Sequence, residues 1–235
     1  YGNDSTNTMR GGSGVNTIYG SASNDSITGG TNTDTLYGGD GNDSIVGGVG
    51  ADNLFGEAGN DSITYDAADT VIDGGAGLDT LVLTGLAALT IDLSNTTSQI
   101  TGSAVVTNFE NITATNYTGD LTITGSDATN TLRGGSGLNT ITGGNSNDSI
   151  TGGANADTLS GGDGNDTIIG GLGADRIYGG AGNDSITYDA ADTIIDGGAD
   201  IDTLAITGSL ALTIDLSNSV NQIAGSAVVT NFENI

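Results

Sequence analysis

The sequence predicts an all-β solenoid, a coil of short strands stacked on copies of itself. Three observations carry this prediction: a period of nine residues, an aliphatic residue at one fixed place in every period, and 42 glycines without a proline among 235 residues. Nine residues match the helical repeat of 3.6 poorly, and glycine costs about 1 kcal/mol against alanine inside a helix. A helical chain is therefore excluded, and short strands joined by tight turns remain.

The nine-residue rows run over 2–82 and again over 125–205, and each contributes one strand. The first six residues of a row are rich in Gly, Asn and Asp and suit a turn, because glycine tolerates positive φ. The next three alternate polar and aliphatic, as in Ser44-Ile45-Val46. Two rows make one coil of 18 residues, and stacked coils pair their strands in parallel as two sheets around a thin core. The core-forming eighth positions are Met9, Ile18, Ile27, Leu36, Ile45, Leu54, Ile63, Ile72, Leu81, Leu132, Ile141, Ile150, Leu159, Ile168, Ile177, Ile186, Ile195 and Leu204.

The chain consists of two tandem copies of a 123-residue unit. Residues 2–112 superimpose on 125–235 without a gap and with most residues identical, so the second copy is expected to stop inside its unit. Between the rolls the nonapeptide is lost, but strand-like alternation continues. This segment either caps and extends the roll or forms a small separate β-subdomain. The predicted regions are a first roll at 1–82, a β segment at 83–124, a second roll at 125–205 and a second β segment at 206–235.

Charge and missing residue types narrow the function. Lys and Arg total 3 against 29 Asp and Glu, and a net charge of -26 excludes binding to nucleic acid or to an anionic membrane surface. No apolar run approaches the roughly 18 residues that span a bilayer, so no membrane insertion is expected. The chain has no His, no Cys and no Gly-x-Ser-x-Gly motif. We therefore expect no catalytic activity, and only oxygen ligands remain for a metal ion.

The sixth position of the row carries the acidic residues. Because turns on one side recur every 18 residues, these aspartates form columns with neighbours about 5 Å apart, and each bare pair would repel by roughly 3 kcal/mol at an effective dielectric near 20. A divalent cation between them reverses the sign, and oxygen ligands of this kind suit Ca²⁺ better than Mg²⁺. The predicted metal ligands are Asp25, Asp34, Asp43, Asp52, Asp61, Asp79, Asp148, Asp157, Asp166, Asp175, Asp184 and Asp202.

Several rows depart from this pattern. Asparagine replaces the aspartate in the first two rows of each unit, where sites are expected to be weak or empty. The row that starts at Tyr65 has lost its glycines and places Asp69 at position five, so Asp69 and its repeat Asp192 form a second rank of expected ligands. Asp79 and Asp202 have a same-side aspartate on one side only, so their loss should matter less. The asparagine positions are Asn7, Asn16, Asn130 and Asn139.

The nonapeptide resembles the repeats-in-toxin (RTX) calcium-binding β-roll family. The match lies in complete Gly-Gly-x-Gly-x-Asp turns. The resemblance implies a right-handed parallel β-roll in which Ca²⁺ lies between turns of neighbouring coils, held by aspartate carboxylates and backbone carbonyls, with about four to six ions per unit. The complete turns begin at Gly38, Gly47, Gly74, Gly161, Gly170 and Gly179.

Duplication and resemblance together predict a structural function. We expect a calcium-rigidified rod in a large secreted bacterial cell-surface protein, such as an S-layer protein, an adhesin or an extracellular filament, with further copies of itself as partners. The alternative is the C-terminal folding module of a toxin, protease or lipase exported by type I secretion, whose catalytic part lies elsewhere. An ice-binding rod would need a ladder of threonines, and position three of the rows has none.

Overall fold

A computed structural model describes residues 1–102, 104–207, 212–224 and 227–235. Over these ranges the chain forms twenty-three strands and no helix, so none of the described residues belongs to a membrane-spanning helix. The all-β prediction is confirmed. Six residues of the second β segment predicted at 206–235, together with residue 103 of the first, lie outside the described ranges.

The chain divides into two compact units. Unit 1 comprises Tyr1–Thr84 and Ile91–Ala114, and unit 2 comprises Gly85–Thr90 and Thr115–Ile235. The four regions set out from the sequence stay a prediction.

Strands follow one another at about nine-residue intervals wherever the nonapeptide runs. In the first copy they are β1 Thr8–Arg10, β2 Thr17–Ala22, β3 Ser26–Thr31, β4 Thr35–Asp40, β5 Ser44–Val49, β6 Asn53–Ala58, β7 Ser62–Tyr65, β8 Val71–Asp73, β9 Thr80–Gly85, β10 Leu89–Asp92, β11 Val105–Thr107 and β12 Asn111–Tyr117. Strand β13 Leu121–Thr124 ends the first copy. In the second copy the strands are β14 Thr131–Arg133, β15 Thr140–Asn145, β16 Ser149–Ala154, β17 Thr158–Asp163, β18 Thr167–Leu172, β19 Arg176–Ala181, β20 Ser185–Tyr188, β21 Ile194–Ala199, β22 Thr203–Ile206 and β23 Val228–Thr230.

Consecutive strands of the rows belong to opposite sheets. In unit 1 the strand order is β1-β3-β5-β7-β9-β12 in one sheet and β2-β4-β6-β8-β11 in the other. In unit 2 the orders are β14-β16-β18-β20-β22 and β10-β13-β15-β17-β19-β21-β23. The named pairs of the rows are parallel, and each residue lies opposite the residue 18 positions further on, as Ile27 does to Ile45 and Leu159 to Ile177. Two rows of nine therefore make one coil, as predicted.

The β segment after the first roll continues the sheets of unit 1. Strand β11 pairs in parallel with β8, with Val106 opposite Ile72. In the second copy β23 pairs with β21 in the same way. The turn after β11 is thereby stacked on the last row of the first roll, and the turn after β23 on the last row of the second, which matters for the end of two aspartate columns.

The core of each unit is a stack of aliphatic side chains with glycine beside it. From Ile27 onward the eighth-position side chains of the rows are at most 1% exposed. Within β4, Leu36 and Gly38 both face inward, because side chains alternate across a strand. The same alternation brings position six of the row, two residues before the aliphatic position, to the inner face at the margin of the core.

Candidate metal centres

The structure places all fourteen predicted aspartates on this inner face. Each is at most 3% exposed, although aspartate is rarely buried without a partner. Twelve of them lie two residues before the buried aliphatic residue of the next strand, in phase with its inward alternation, whereas Asp69 and Asp192 lie three residues before it. The fourteen residues form four columns: Asp25, Asp43, Asp61 and Asp79; Asp34, Asp52 and Asp69; Asp148, Asp166, Asp184 and Asp202; and Asp157, Asp175 and Asp192.

One carboxylate oxygen of each aspartate links its coil to the previous coil. The Oδ1 atom of Asp43 accepts the backbone N–H of Asp25 at 2.7 Å, and that of Asp61 accepts the N–H of Asp43 at 2.7 Å. The contact repeats along all four columns. Each column is therefore a continuous hydrogen-bonded ladder that runs from coil to coil.

Asp69 and Asp192 belong to these ladders despite their shifted place in the row. The N–H of Asp52 donates to Asp69 Oδ1 at 3.2 Å across 17 residues instead of 18, and Asp175 donates to Asp192 at the same distance. The row keeps its nine residues and its 18-residue register, and the aspartate stands one place earlier in it. The hydrogen bond is longer, but the side chain is still buried. Asp69 and Asp192 therefore have the same burial and the same ladder contact as the other aspartates, despite their different position in the row.

The second carboxylate oxygen of each of these fourteen aspartates has no hydrogen-bond partner among the described residues. Among the described residues, all fourteen Oδ2 atoms are buried and unpaired. An unsatisfied buried polar atom costs on the order of 1–3 kcal/mol, and a charged one costs more. Fourteen such atoms need either protons or cations.

Burial raises the pKa of twelve of these carboxyl groups. For Asp61 burial is the largest cause, the backbone N–H of Asp43 lowers the value in part, and the charges of Asp79 and Asp43 raise it again, to a pKa of about 6. The pKa of Asp184 rises to about 7 for the same reasons. Burial also raises the pKa to about 6 in Asp79 and Asp148, to about 7 in Asp69, Asp157 and Asp192, and above its ordinary value in Asp43, Asp52, Asp166, Asp175 and Asp202.

The first glycine of the turn leaves space where oxygens converge. A Cβ atom on Gly29 would lie 2.5 Å from Asp34 Oδ2 and 2.5 Å from the carbonyl oxygen of Gly47 in the next coil. From the sequence, the turn glycines are expected to adopt positive φ. That holds for Gly39 and Gly41, at φ 109° and 130°, but the first glycine is needed because a side chain would fill the space between two oxygens.

The asparagine rows show which atoms surround this space. In the row of Asn139, the side-chain Nδ2 donates to the carbonyl oxygens of Gly137 and Gly152, both at 3.2 Å, and to Asp157 Oδ1 at 3.0 Å. This nitrogen lies beside the first glycine of its row, where the aspartate rows have Oδ2. Carbonyl and carboxylate oxygens of two coils thus converge on one point.

Two further asparagines repeat this arrangement. Asn16 Nδ2 donates to the carbonyl of Gly14 at 2.6 Å and to Asp34 Oδ1 at 2.9 Å, and Asn7 Nδ2 donates to Asp25 Oδ1 at 3.2 Å. Asn130 differs, because its Oδ1 accepts the N–H of Ser126 in its own turn at 2.7 Å. The expectation that these rows bind metal weakly or not at all stays a prediction, and the amide nitrogens supply a reason for it.

The donor set fits a hard cation. No group of three or more Asp, Glu, His or Cys residues converges on one point within the described ranges. A cation would therefore be held by carboxylates of two neighbouring coils together with turn carbonyls. Ca²⁺ accepts six to eight oxygens of these two kinds in flexible geometry, whereas softer metals favour the nitrogen and sulfur ligands that this chain lacks.

The sequence analysis did not predict two features of the columns. An outer ladder of asparagines joins the turns beside the Asp25 column: Asn42 N–H donates to Asn24 Oδ1 and Asn60 N–H to Asn42 Oδ1, both at 2.9 Å. Its spacing of 18 residues was visible in the sequence. The second feature has no such signal: Glu110 Oε2 accepts the N–H of Asp79 at 2.8 Å, so Asp79 does have a carboxylate neighbour on both sides.

The family model of the RTX calcium-binding nonapeptide repeat (four copies) matches this chain several times. The matches fall on residues 1–36, 28–63, 124–159, 151–186 and 160–195, and together they cover more than half of the chain. They lie on the strands and turns that carry the aspartate columns. No curated protein matches the chain.

Proposed function

Because the chain belongs to the RTX calcium-binding nonapeptide repeat family, we propose that it is a calcium-folded structural module of a secreted bacterial cell-surface protein. The observation that carries the proposal is the set of fourteen buried Oδ2 atoms without partners, arranged in columns. Calcium bound there supplies the positive charge that offsets neighbouring carboxylates. Coil-to-coil stacking and metal binding are then one event.

Neighbouring carboxylates within the columns define the proposed sites. In unit 1 the adjacent aspartates form five pairs, and unit 2 repeats them. This number lies within the four to six ions expected from the sequence. Position-one carbonyls such as that of Gly47 lie close enough to Oδ2 to complete the donor set. Asp43 and Asp61 each belong to two pairs and so serve two sites.

The net negative charge of the chain links calcium binding to the compartment in which the chain folds. At a net charge of -26, the calcium-free chain repels itself and has only a thin core to oppose its conformational entropy. It therefore stays unfolded in a cytosol poor in calcium and folds outside the cell, where calcium is millimolar and extracellular sites are tuned to that range. Calcium affinity tighter than about 10⁻⁷ M would contradict this part of the proposal.

A structural role suits the repeat better than a catalytic one. Tandem near-copies add length without adding new side-chain chemistry, which suits a spacer, a lattice subunit or a filament. The module itself is proposed to be non-catalytic, with further copies of the unit as partners. Electron microscopy of the secreted protein with and without calcium tests this: calcium-dependent sheets or filaments support it, and dispersed particles in both conditions contradict it.

Calcium-dependent folding is the direct test of the proposal. Circular dichroism of the 235-residue chain should show a β-spectrum at millimolar Ca²⁺ and a disordered spectrum in excess chelator, because uncompensated carboxylates oppose stacking. Mg²⁺ at the same concentration is the matched control and should fold the chain poorly, since it prefers strict octahedral geometry and keeps its waters. An unchanged β-spectrum in chelator would show that the columns do not need a cation.

A further inference from the structure

We propose that each unit holds one more calcium site, closed by a glutamate outside the nonapeptide rows: Glu110 in unit 1 and Glu233 in unit 2. The inference rests on the proposed function, because it extends the same columns by one position. It assigns a binding role to the β segment after each roll.

Glu110 takes the place of the next aspartate in its column. Asp79 is the last aspartate of that column, and its N–H donates to Glu110 Oε2 at 2.8 Å. The N–H of Asp61 makes the corresponding contact to Asp79 Oδ1 at 2.7 Å. Glu110 thus presents a half-buried carboxylate to Asp79 as the next coil would.

The other donors of a column site are present as well. A Cβ on Gly74 would lie 2.8 Å from Asp79 Oδ2, which is buried and unpaired, and it would also meet the carbonyl oxygen of Asn108. Asn108 therefore supplies the carbonyl that the first glycine of the next coil supplies elsewhere. Gly74 N–H donates to the carbonyl of Thr107 at 3.0 Å, which holds this turn against the last row.

Buried contacts hold Glu110 in this position. Phe109, next to it, is 1% exposed, and the Gln99 side chain fixes its backbone: Nε2 donates to the Phe109 carbonyl at 2.8 Å and Oε1 accepts its N–H at 3.0 Å. On the other side of Phe109, Asn108 Nδ2 donates to Asp73 Oδ1 at 2.7 Å. A glutamate with three rotatable bonds is thereby attached to a rigid turn, which lowers the entropy cost of holding it at a site.

Unit 2 repeats the whole arrangement. Asp202 N–H donates to Glu233 Oε2 at 2.9 Å, and a Cβ on Gly197 would meet Asp202 Oδ2 at 2.7 Å and the carbonyl oxygen of Asn231. Gln222 holds the backbone of Phe232 with hydrogen bonds of 2.7 and 2.9 Å. The same donors therefore recur at the end of the corresponding column.

A glutamate that only caps a backbone N–H must be told apart from one that binds a cation. E110Q makes this distinction, because the amide oxygen still accepts the N–H of Asp79 while the charge is lost. E57Q is the matched control, since Glu57 lies exposed in strand β6 of the same unit and the substitution removes the same charge. The experiment counts the calcium ions bound by the 235-residue chain by isothermal titration calorimetry, with circular dichroism as the readout of folding.

The expected result is a loss of one ion in E110Q, one in E233Q and two in the double variant, with none lost in E57Q. Unchanged counts in E110Q and E233Q, with calcium still bound by the unsubstituted chain, would overturn the inference and leave the proposed function intact. Absence of calcium binding by the unsubstituted chain would overturn both. If a variant fails to fold at the calcium concentration that folds the unsubstituted chain, recovery at higher calcium supports the site, and failure to recover overturns it.

Discussion

The asparagine rows and the aspartate rows share one backbone and differ in a single functional group. Asn139 places an amide nitrogen among three oxygens from its own and the next coil, and all three contacts are hydrogen bonds. Asp157, one coil further on, has a carboxylate oxygen at the same place beside its first glycine, and that oxygen has no partner among the described residues. The asparagine row carries no charge at this place, although the buried Oδ1 of Asn139 is also unpaired among the described residues. The aspartate row instead leaves a charged oxygen there without a partner.

The first row and the middle rows of a column are therefore stabilised in different ways. Rows that begin a unit are stabilised by their own amide donors, so they need no cation on that side. Rows in the middle carry buried negative charge that desolvation opposes, which is why the pKa of Asp61 rises to about 6. Calcium dependence should therefore be concentrated in the aspartate rows, and three measurements test this.

The largest effect is expected from D43N, which converts a middle row into an asparagine row. Asp43 is paired with Asp25 and with Asp61, so we expect the loss of two ions and a higher calcium concentration at the folding midpoint. Titration calorimetry counts the ions. D40N removes the same charge from the exposed end of strand β4, three residues before Asp43, and should lose none. Equal losses in the two variants would mean that the buried column is not where calcium binds.

A smaller effect of opposite sign is expected from N139D. The new carboxylate would face Asp157 across the space that the amide nitrogen of Asn139 now occupies. The chain should therefore bind one additional ion. N147D is the matched control, because Asn147 is exposed and its side-chain oxygen can still accept the N–H of Asn165 after the change. If N139D binds no more calcium than N147D, the asparagine rows lack a site for a reason other than the amide.

The smallest effect concerns protons, which can neutralise Oδ2 as an amide does. The folded pKa of about 7 for Asp184 lies above the unfolded value near 3.9, so ionisation opposes folding of the calcium-free chain. That penalty is complete above about pH 7 and is relieved as the pH falls towards 4. A chain stripped of calcium on a chelating resin should gain β-signal by circular dichroism between pH 7 and pH 5. With calcium present the sign reverses, because protons compete for the same oxygens. Loss of β-signal on acidification without calcium would contradict this account.

Much of the site could be predicted from spacing alone. The 18-residue recurrence of Asp25, Asp43 and Asp61 implied columns, and the structure brings those residues together. The same counting placed Asp69 only in the second rank of ligands, because it lies 17 residues after Asp52 instead of 18. The structure shows that the turn accommodates this shift and that Asp69 belongs to the column. Counting also left Asp79 with one neighbour, because Glu110 lies 31 residues away in a segment without the period.

The repeating part of this protein follows from its nonapeptide pattern. A period of nine with alternation of two specifies which side chains face inward, and in a solenoid each coil contacts only its neighbours, so local pattern decides local contact. The tertiary structure alone decided which carboxylate oxygen is used in the ladder and which is left free, and it placed Glu110 at the end of a column. The physical reason is that a contact between coils depends on the path of the chain between them. A regular repeat sets that path, and the non-repeating segment sets it only through buried contacts such as those of Gln99 with Phe109.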